Sequence, residues 1–242
     1  NTVDPQALID HYGADTARLF TMFAAPPEQS LEWNDDGVSG ANRFIKRLWA
    51  LVYDYLQWRD SSPAGNAAAV ELSADQAEMR RLLHQQLAQA QFDFDKEQFN
   101  TVVSAGMKLV NEASRLARPA AADGDGYRSV MDETLNVLVR MLAPIIPHVC
   151  HRLWRALGGT GELVDAAWPE VDESALQRDQ LELVVQVNGK LRGKISVAAD
   201  ATNEQIEALA RANDNVKRFI EDKAVRKVIV VAGKLVNIVV QG

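Results

Sequence analysis

The chain has 242 residues, enough for one or two domains with cores of their own, and its 47% apolar and 24% charged residues are ordinary for a folded globular protein. No apolar run approaches the roughly 20 residues that cross a bilayer, which argues against a membrane role, and the single Cys150 excludes an internal disulfide and suits a reducing cytoplasm. The net charge of −7 speaks against a general nucleic-acid coat, but from Leu181 onward ten Lys/Arg meet only seven Asp/Glu, against sixteen and twenty-six before it.

Opposite signs in adjacent stretches suggest separate modules. The first residue is Asn and no basic-then-apolar leader follows, so the sequence reads as an excised piece. Asp4-Pro5 is a helix start, with Asp as cap and Pro in the first turn. That helix ends near Gly13, and Ala14 to Ala25 makes a second, stopped by Pro26-Pro27. A long helix is expected from Asn42 to Trp58, where Phe44, Leu48, Leu51, Val52 and Tyr55 recur at spacings of three and four. Ser61 to Val70 is rich in Ser, Pro, Gly and Ala and reads as an exposed connection. Ser73 caps a helix to about Ala90, and another spans about Lys96 to Leu116. After a turn-rich stretch from Ala120 to Gly126 come helices over Tyr127–Leu142 and Ile145–Leu157, parted by Pro144. Long helices on short loops predict an antiparallel bundle.

Gly158 to Gln180 carries Gly-Gly, Trp-Pro and acidic residues without a period, and reads as a mobile linker. Beyond it the period becomes two: Leu183, Val185 and Val187 alternate with polar residues, as in a half-buried strand. Asn188-Gly189 signals a tight hairpin, with Lys190 to Val197 as the return strand. Thr202 and Gln205 form a capping box, a second short helix covers Val216 to Asp222, and strands follow at Arg226–Val231 and Lys234–Val240. The expected fold is therefore mainly α: a helical bundle followed by a small α/β domain of β-β-α-α-β-β order. The expected boundaries are 1–34 for a connective segment, 35–160 for the bundle, 161–180 for the linker and 181–242 for the small domain.

Motifs for catalysis are scarce: GxSxG, HExxH, GxxxxGK[ST] and CxxC are all missing. His148, Cys150 and His151 offer metal-ligand chemistry, but Cys150 points away from the histidine face and no fourth ligand is evident, so packing is preferred. The pairs Asp35-Asp36 and Asp93/Asp95 are read as residues near helix starts that offset the dipole. The basic residues say more. Arg43 and Arg47 share a helix face at the edge of the apolar stripe, where guanidinium groups can meet phosphate; the competing reading has them solvated or paired with Asp54. Strand pleating is expected to put Lys190, Arg192 and Lys194 on one face, opposite Leu191, Ile195 and Val197. Such a row suits a nucleic-acid backbone, and equally suits an edge strand guarded against aggregation.

The stretch Asp4-Pro5 with Tyr12-Gly13-Ala14-Asp15-Thr16-Ala17-Arg18-Leu19-Phe20 resembles the segment after the KMSKS loop of class I aminoacyl-tRNA synthetases. Leu31-Glu32-Trp33, Gly37-Val38 and Gly40-Ala41-Asn42-Arg43-Phe44 are similar to the opening of their helical anticodon-binding domain. Phe99-Asn100-Thr101 and Leu142-Ala143-Pro144 through Pro147-His148 to Leu153-Trp154 resemble its later helices. Val185-Gln186-Val187-Asn188-Gly189-Lys190-Leu191-Arg192-Gly193-Lys194 resembles the C-terminal domain of bacterial-type leucyl-tRNA synthetases, as does the tail from Val225 to Val240.

This resemblance, which covers essentially the whole chain, implies a tRNA-facing portion without the ATP-binding motifs or the editing domain. It implies tRNA contacts at Arg43, Arg47, Lys190, Arg192, Lys194, Lys227 and Lys234, and a supporting role for Tyr12 to Arg18 beneath the catalytic loop. Trp33 and Trp154 are expected to pack. No catalytic residue, metal or cofactor is expected in this portion; ATP and Mg would serve the full-length enzyme. The implied partners are the tRNA for leucine and an N-terminal catalytic domain, in a cytoplasmic monomer. The alternatives are a valyl, isoleucyl or methionyl enzyme, or a protein-interaction module that needs no RNA.

Overall fold

The computed structural model describes residues 4–25, 29–30, 33–62, 70–119, 124–177, 180–199, 201–221, 223–231 and 233–241. Pro26-Pro27, Leu31-Glu32, most of the Ser61–Val70 connection and the start of the Ala120–Gly126 turn lie outside them. The chain divides into two compact units, Asn1–Leu176 and Gln177–Gly242.

The first unit is helical: α1 (Pro5–Tyr12), α2 (Ala14–Ala24), α3 (Asp35–Ser61), α4 (Ala74–Asp95), α5 (Phe99–Arg115), α6 (Asp125–Leu142), α7 (Pro147–Ala156) and α8 (Glu173–Leu176). Its core gathers Leu48, Val52 and Tyr55 of α3, Leu83 and Leu87 of α4, Leu109 of α5 and Leu135 and Leu138 of α6, all shielded from solvent. Each such side chain contributes about 1.5–3 kcal/mol through burial, so the bundle is held chiefly by these apolar stripes. Asp4, Ser73 and Asn34 cap their helices with side-chain oxygens; Ser73 and Gln76 close a full capping box.

Helix α3 begins at Asp35, seven residues before the expected start at Asn42. Gly37 and Gly40 weaken the helical pattern there, but Gly37 is needed: a Cβ on it would lie 2.9 Å from the Phe20 ring of α2. Helix α4 runs on to Asp95, so Asp93 and Asp95 close a helix and do not open one, contrary to the sequence reading. Buried Asp93 accepts from the Gln89 amide one turn earlier.

The larger correction concerns residues 161–176, expected as linker. Leu163 is buried in the bundle core, and Trp168 and Val171 pack against it. Trp168 meets Phe94 edge-on at 5.0 Å between ring centroids. Arg80 donates to both Glu133 oxygens and to Asp172 at 2.6 Å, while the Asp172 backbone amide donates to His84 Nδ1 at 3.1 Å. These residues belong to the first unit, whose boundary falls at Leu176.

The second unit has the expected order: β1 (Gln180–Val187), β2 (Lys190–Ala198), α9 (Asn203–Ala212), α10 (Asp214–Ile220), β3 (Val225–Val231) and β4 (Leu235–Val240). The sheet order is β2-β1-β4-β3, with β1 and β4 parallel and both outer pairs antiparallel. One face buries Leu183, Val185, Ile195, Val236 and Ile238 with Ile206, Ala210 and Val216 of α9 and α10. Asn188 and Gly189 make the hairpin with φ of 50° and 77°, both in the left-handed region that the turn demands. Among the described residues, no helix is long and apolar enough to cross a membrane.

Candidate nucleic-acid interface

Within the first unit, three of the motif stretches quoted above, Tyr12–Phe20, Gly40–Phe44 and Leu142–Trp154, meet through side-chain hydrogen bonds. Gly13 breaks the chain between α1 and α2 with φ of 86°, which lets Ala14–Ala24 start in a new direction. In the first turn of α2, buried Asp15 accepts the Val149 backbone amide at 2.7 Å and pairs with His148 Nδ1 at 2.8 Å. It thereby caps α7 from outside, where the exposed amides of a helix start favour a carboxylate. Arg18 donates to the carbonyls of Ile145 and Pro144 at 3.1 and 2.8 Å. Asn42 of α3 donates to Thr16 Oγ1 at 3.2 Å, tying in the third stretch. Tyr12 to Arg18 therefore clamps the α6–α7 turn.

The neighbouring histidine and cysteine are accounted for in the same way. His151 Nδ1 accepts from the Leu163 amide at 3.4 Å, and Cys150 is fully buried, its thiol pushed well up by burial and then by the Asp15 charge. Trp33 packs edge-on against Phe20 and donates to Asp35 at 2.7 Å; Trp154 packs against the core.

Arg43 and Arg47 both lie exposed on α3. Arg47 does not pair with Asp54; its Nη2 donates to Asn111 Oδ1 on α5. Lys46, which the sequence reading passed over, adds a third exposed cation to this stretch of helix. Beside them Trp49 stacks on Tyr53 at 5.1 Å between centroids. Arg47 also lines a cleft of about 490 Å³ between α3 and the end of α5, together with Asp54, Ser114 and Arg118. Arg118 was invisible to reasoning from spacing, because only the packing of α5 on α3 brings it there.

The small-unit cations do not form the expected row. Val185 pairs with Gly193 and Gln186 with Leu191, so Arg192 is the extra residue of a β-bulge and the alternation reverses across it. Leu191 consequently stands 60% exposed. Lys194 pairs with Val184 on the uncovered face and forms an ion pair with Glu182 at 2.7 Å. Arg192 lies with its guanidinium 3.7 Å from the centre of the Phe219 ring of α10. Lys190 sits at the β1–β2 hairpin, while Lys234 occupies the β3–β4 turn, level with the middle of β1. Lys227 is exposed on β3, across the sheet from Lys194. Gly193 helps to explain the bulge: a Cβ there would meet Asn213 Oδ1 at 2.9 Å and Val216 Cγ2 at 3.3 Å.

The family described as the anticodon-binding domain of tRNA ligase matches residues 76–208. The chain is 52% identical to the leucine–tRNA ligase of an Azoarcus species, over 99% of this chain and 27% of that protein. It is 54% identical to the leucine–tRNA ligase of Thioalkalivibrio sulfidiphilus, over 100% of this chain and 29% of that protein. It thus spans between a quarter and a third of the length of these relatives. Among solved structures, the LeuRS of Agrobacterium radiobacter in a ternary complex with tRNA and LeuAMS superposes with a TM-score of 0.76 at 25% identity, covering 100% of this chain and 30% of that one. A methionyl-tRNA synthetase of Mycobacterium tuberculosis bound by methionyl-adenylate reaches 0.55 at 18% identity over 73% of this chain and 37% of its own, a likeness of fold alone. Since the family match extends over more than half of its length, the chain belongs to the anticodon-binding domain family of tRNA ligases.

Proposed function

We propose that the chain is the C-terminal, tRNA-holding portion of a leucine–tRNA ligase. The observation that carries this reading is the α3 edge: exposed Arg43, Lys46 and Arg47 on a bundle of the anticodon-binding family, in a chain about half identical to leucine–tRNA ligases along nearly all its length. The whole bundle region is acidic, so attraction to RNA has to be local, and a short run of cations on one helix supplies it. Guanidinium groups suit phosphate because their fork of N–H donors matches two oxygens at once.

Lys190, Arg192, Lys194, Lys227 and Lys234 are proposed as separate contacts, not as one row along a single RNA strand. The aminoacylation step, with its ATP and Mg, is assigned to sequence outside this chain. The clamp of Asp15 and Arg18 on the α6–α7 turn supports a structural role for Tyr12 to Arg18 against a catalytic domain. The reading further places the protein in the cytoplasm as a monomer.

The test is a fluorescence titration of the chain with leucine tRNA and with the tRNA for another amino acid, each at two salt concentrations. The reading predicts tighter binding of leucine tRNA that weakens steeply with salt. Equal and negligible binding of both tRNAs would contradict it.

A further inference from the structure

Helices α3 and α5 are linked at their outer edge by the bond from Arg47 Nη2 to Asn111 Oδ1. That bond occupies one of the five N–H donors of the guanidinium and fixes its plane, leaving the other donors for a ligand. In the adjoining cleft stands Arg118, exposed and, among the described residues, without an ion-pair partner. Ala50, Leu51 and Leu116 form apolar walls, which strengthen a charge contact made inside. Among the described residues, Asp54 is the only carboxylate that lines the cleft. The described lining thus carries two guanidinium groups, of Arg47 and Arg118, against that carboxylate. At about 490 Å³ the space admits a phosphate with its sugar and excludes a duplex.

We propose that Arg118 and Arg47 together grip one backbone phosphate of the bound RNA, with Asn111 as the positioning residue that aims Arg47 and Asp54 as the group that tempers the grip. This rests on the tRNA-binding reading and deepens it by adding Arg118, Asn111 and Asp54 to the site. No residue of the cleft reads a base in this arrangement, so the contact fixes the register of the RNA on the bundle without reading its sequence.

The experiment titrates labelled leucine tRNA with the chain and four variants across a salt series, after circular dichroism shows that each variant is folded. Arg118→Ala should raise Kd about three- to tenfold and reduce the slope of log K against log salt by about 0.9, the loss of one phosphate contact. Asn111→Ala should raise Kd with the slope preserved, because the Arg47 charge remains. Asp54→Asn should lower Kd. Arg115→Ala is the control: Arg115 pairs with Glu112, lies outside this cleft, and should leave both quantities unchanged. If the unaltered chain binds tRNA while Arg118→Ala matches it in Kd and slope, the cleft assignment falls and the tRNA reading stands. If the unaltered chain fails to bind at all, both fall together.

Discussion

Asp15 and His148, separated by 133 positions in the sequence, meet at 2.8 Å, and the other oxygen of the same carboxylate holds the Val149 amide at 2.7 Å. One buried side chain thus serves as an external cap for α7. Asp15→Ala would leave the first-turn amide of α7 without its partner, and is expected to destabilise the first unit by about 2–3 kcal/mol. Asp15→Asn keeps one acceptor oxygen and should lose about half as much. Urea unfolding followed by tryptophan fluorescence measures both; equal stability of Asp15→Ala and the unaltered chain would contradict the cap.

Glu133 gives a pH dependence. Burial pushes its carboxyl up, but the bonds from His84 and Arg80 outweigh burial and hold it below its ordinary value of 4.5. A depressed folded-state value contributes stability above the unfolded value and loses it as pH falls through the folded one. The unfolding midpoint should therefore decline below about pH 4.5, and should decline less steeply in Glu133→Gln, whose stability at neutral pH is lower by about 1–2 kcal/mol. Parallel acid profiles for the two proteins would count against the network.

Residues 161–176 should behave as part of the bundle. The Asp172 amide, donated to buried His84, is expected to exchange slowly with solvent deuterium, in step with α4 and α6. Trp168→Ala should release the segment and destabilise the unit by about 2–3 kcal/mol, less than for a fully buried tryptophan. Fast exchange at Asp172 in the unaltered chain would restore the free-linker reading.

Gly193→Ala tests the bulge. The added methyl would press on Asn213, which caps α10 and donates to the Lys194 carbonyl at 3.1 Å. We expect the second unit to lose about 1–2 kcal/mol while the first keeps its stability, seen as a shift of one calorimetric transition.

Much of this architecture could be read from spacing alone. The cap at Ser73, the capping box at Thr202 and the Asn188-Gly189 hairpin appear where the sequence puts them, because each is set by residues within four positions. What escaped depends on distant partners. The parallel pairing of β1 with β4 has no local signal. The Arg192 bulge lies beside Gly193, where Asn213 and Val216 approach the strand, and has no local signal, so the pleat rule failed for Lys190, Arg192 and Lys194. Leu163, Trp168 and Val171 anchor their segment at irregular spacings, without the period that would have marked it as packed. The resemblance named Arg43 and Arg47, and only tertiary packing could add Arg118.

The most direct test of the account is the affinity of the chain for leucine tRNA after charge reversal on α3. Arg43→Glu with Arg47→Glu should raise Kd at least tenfold, to order of magnitude, and make its salt dependence shallower by about two phosphate contacts. If the doubly reversed chain, folded as before, binds leucine tRNA with the same Kd and the same salt slope, the α3 edge is not where the RNA lies.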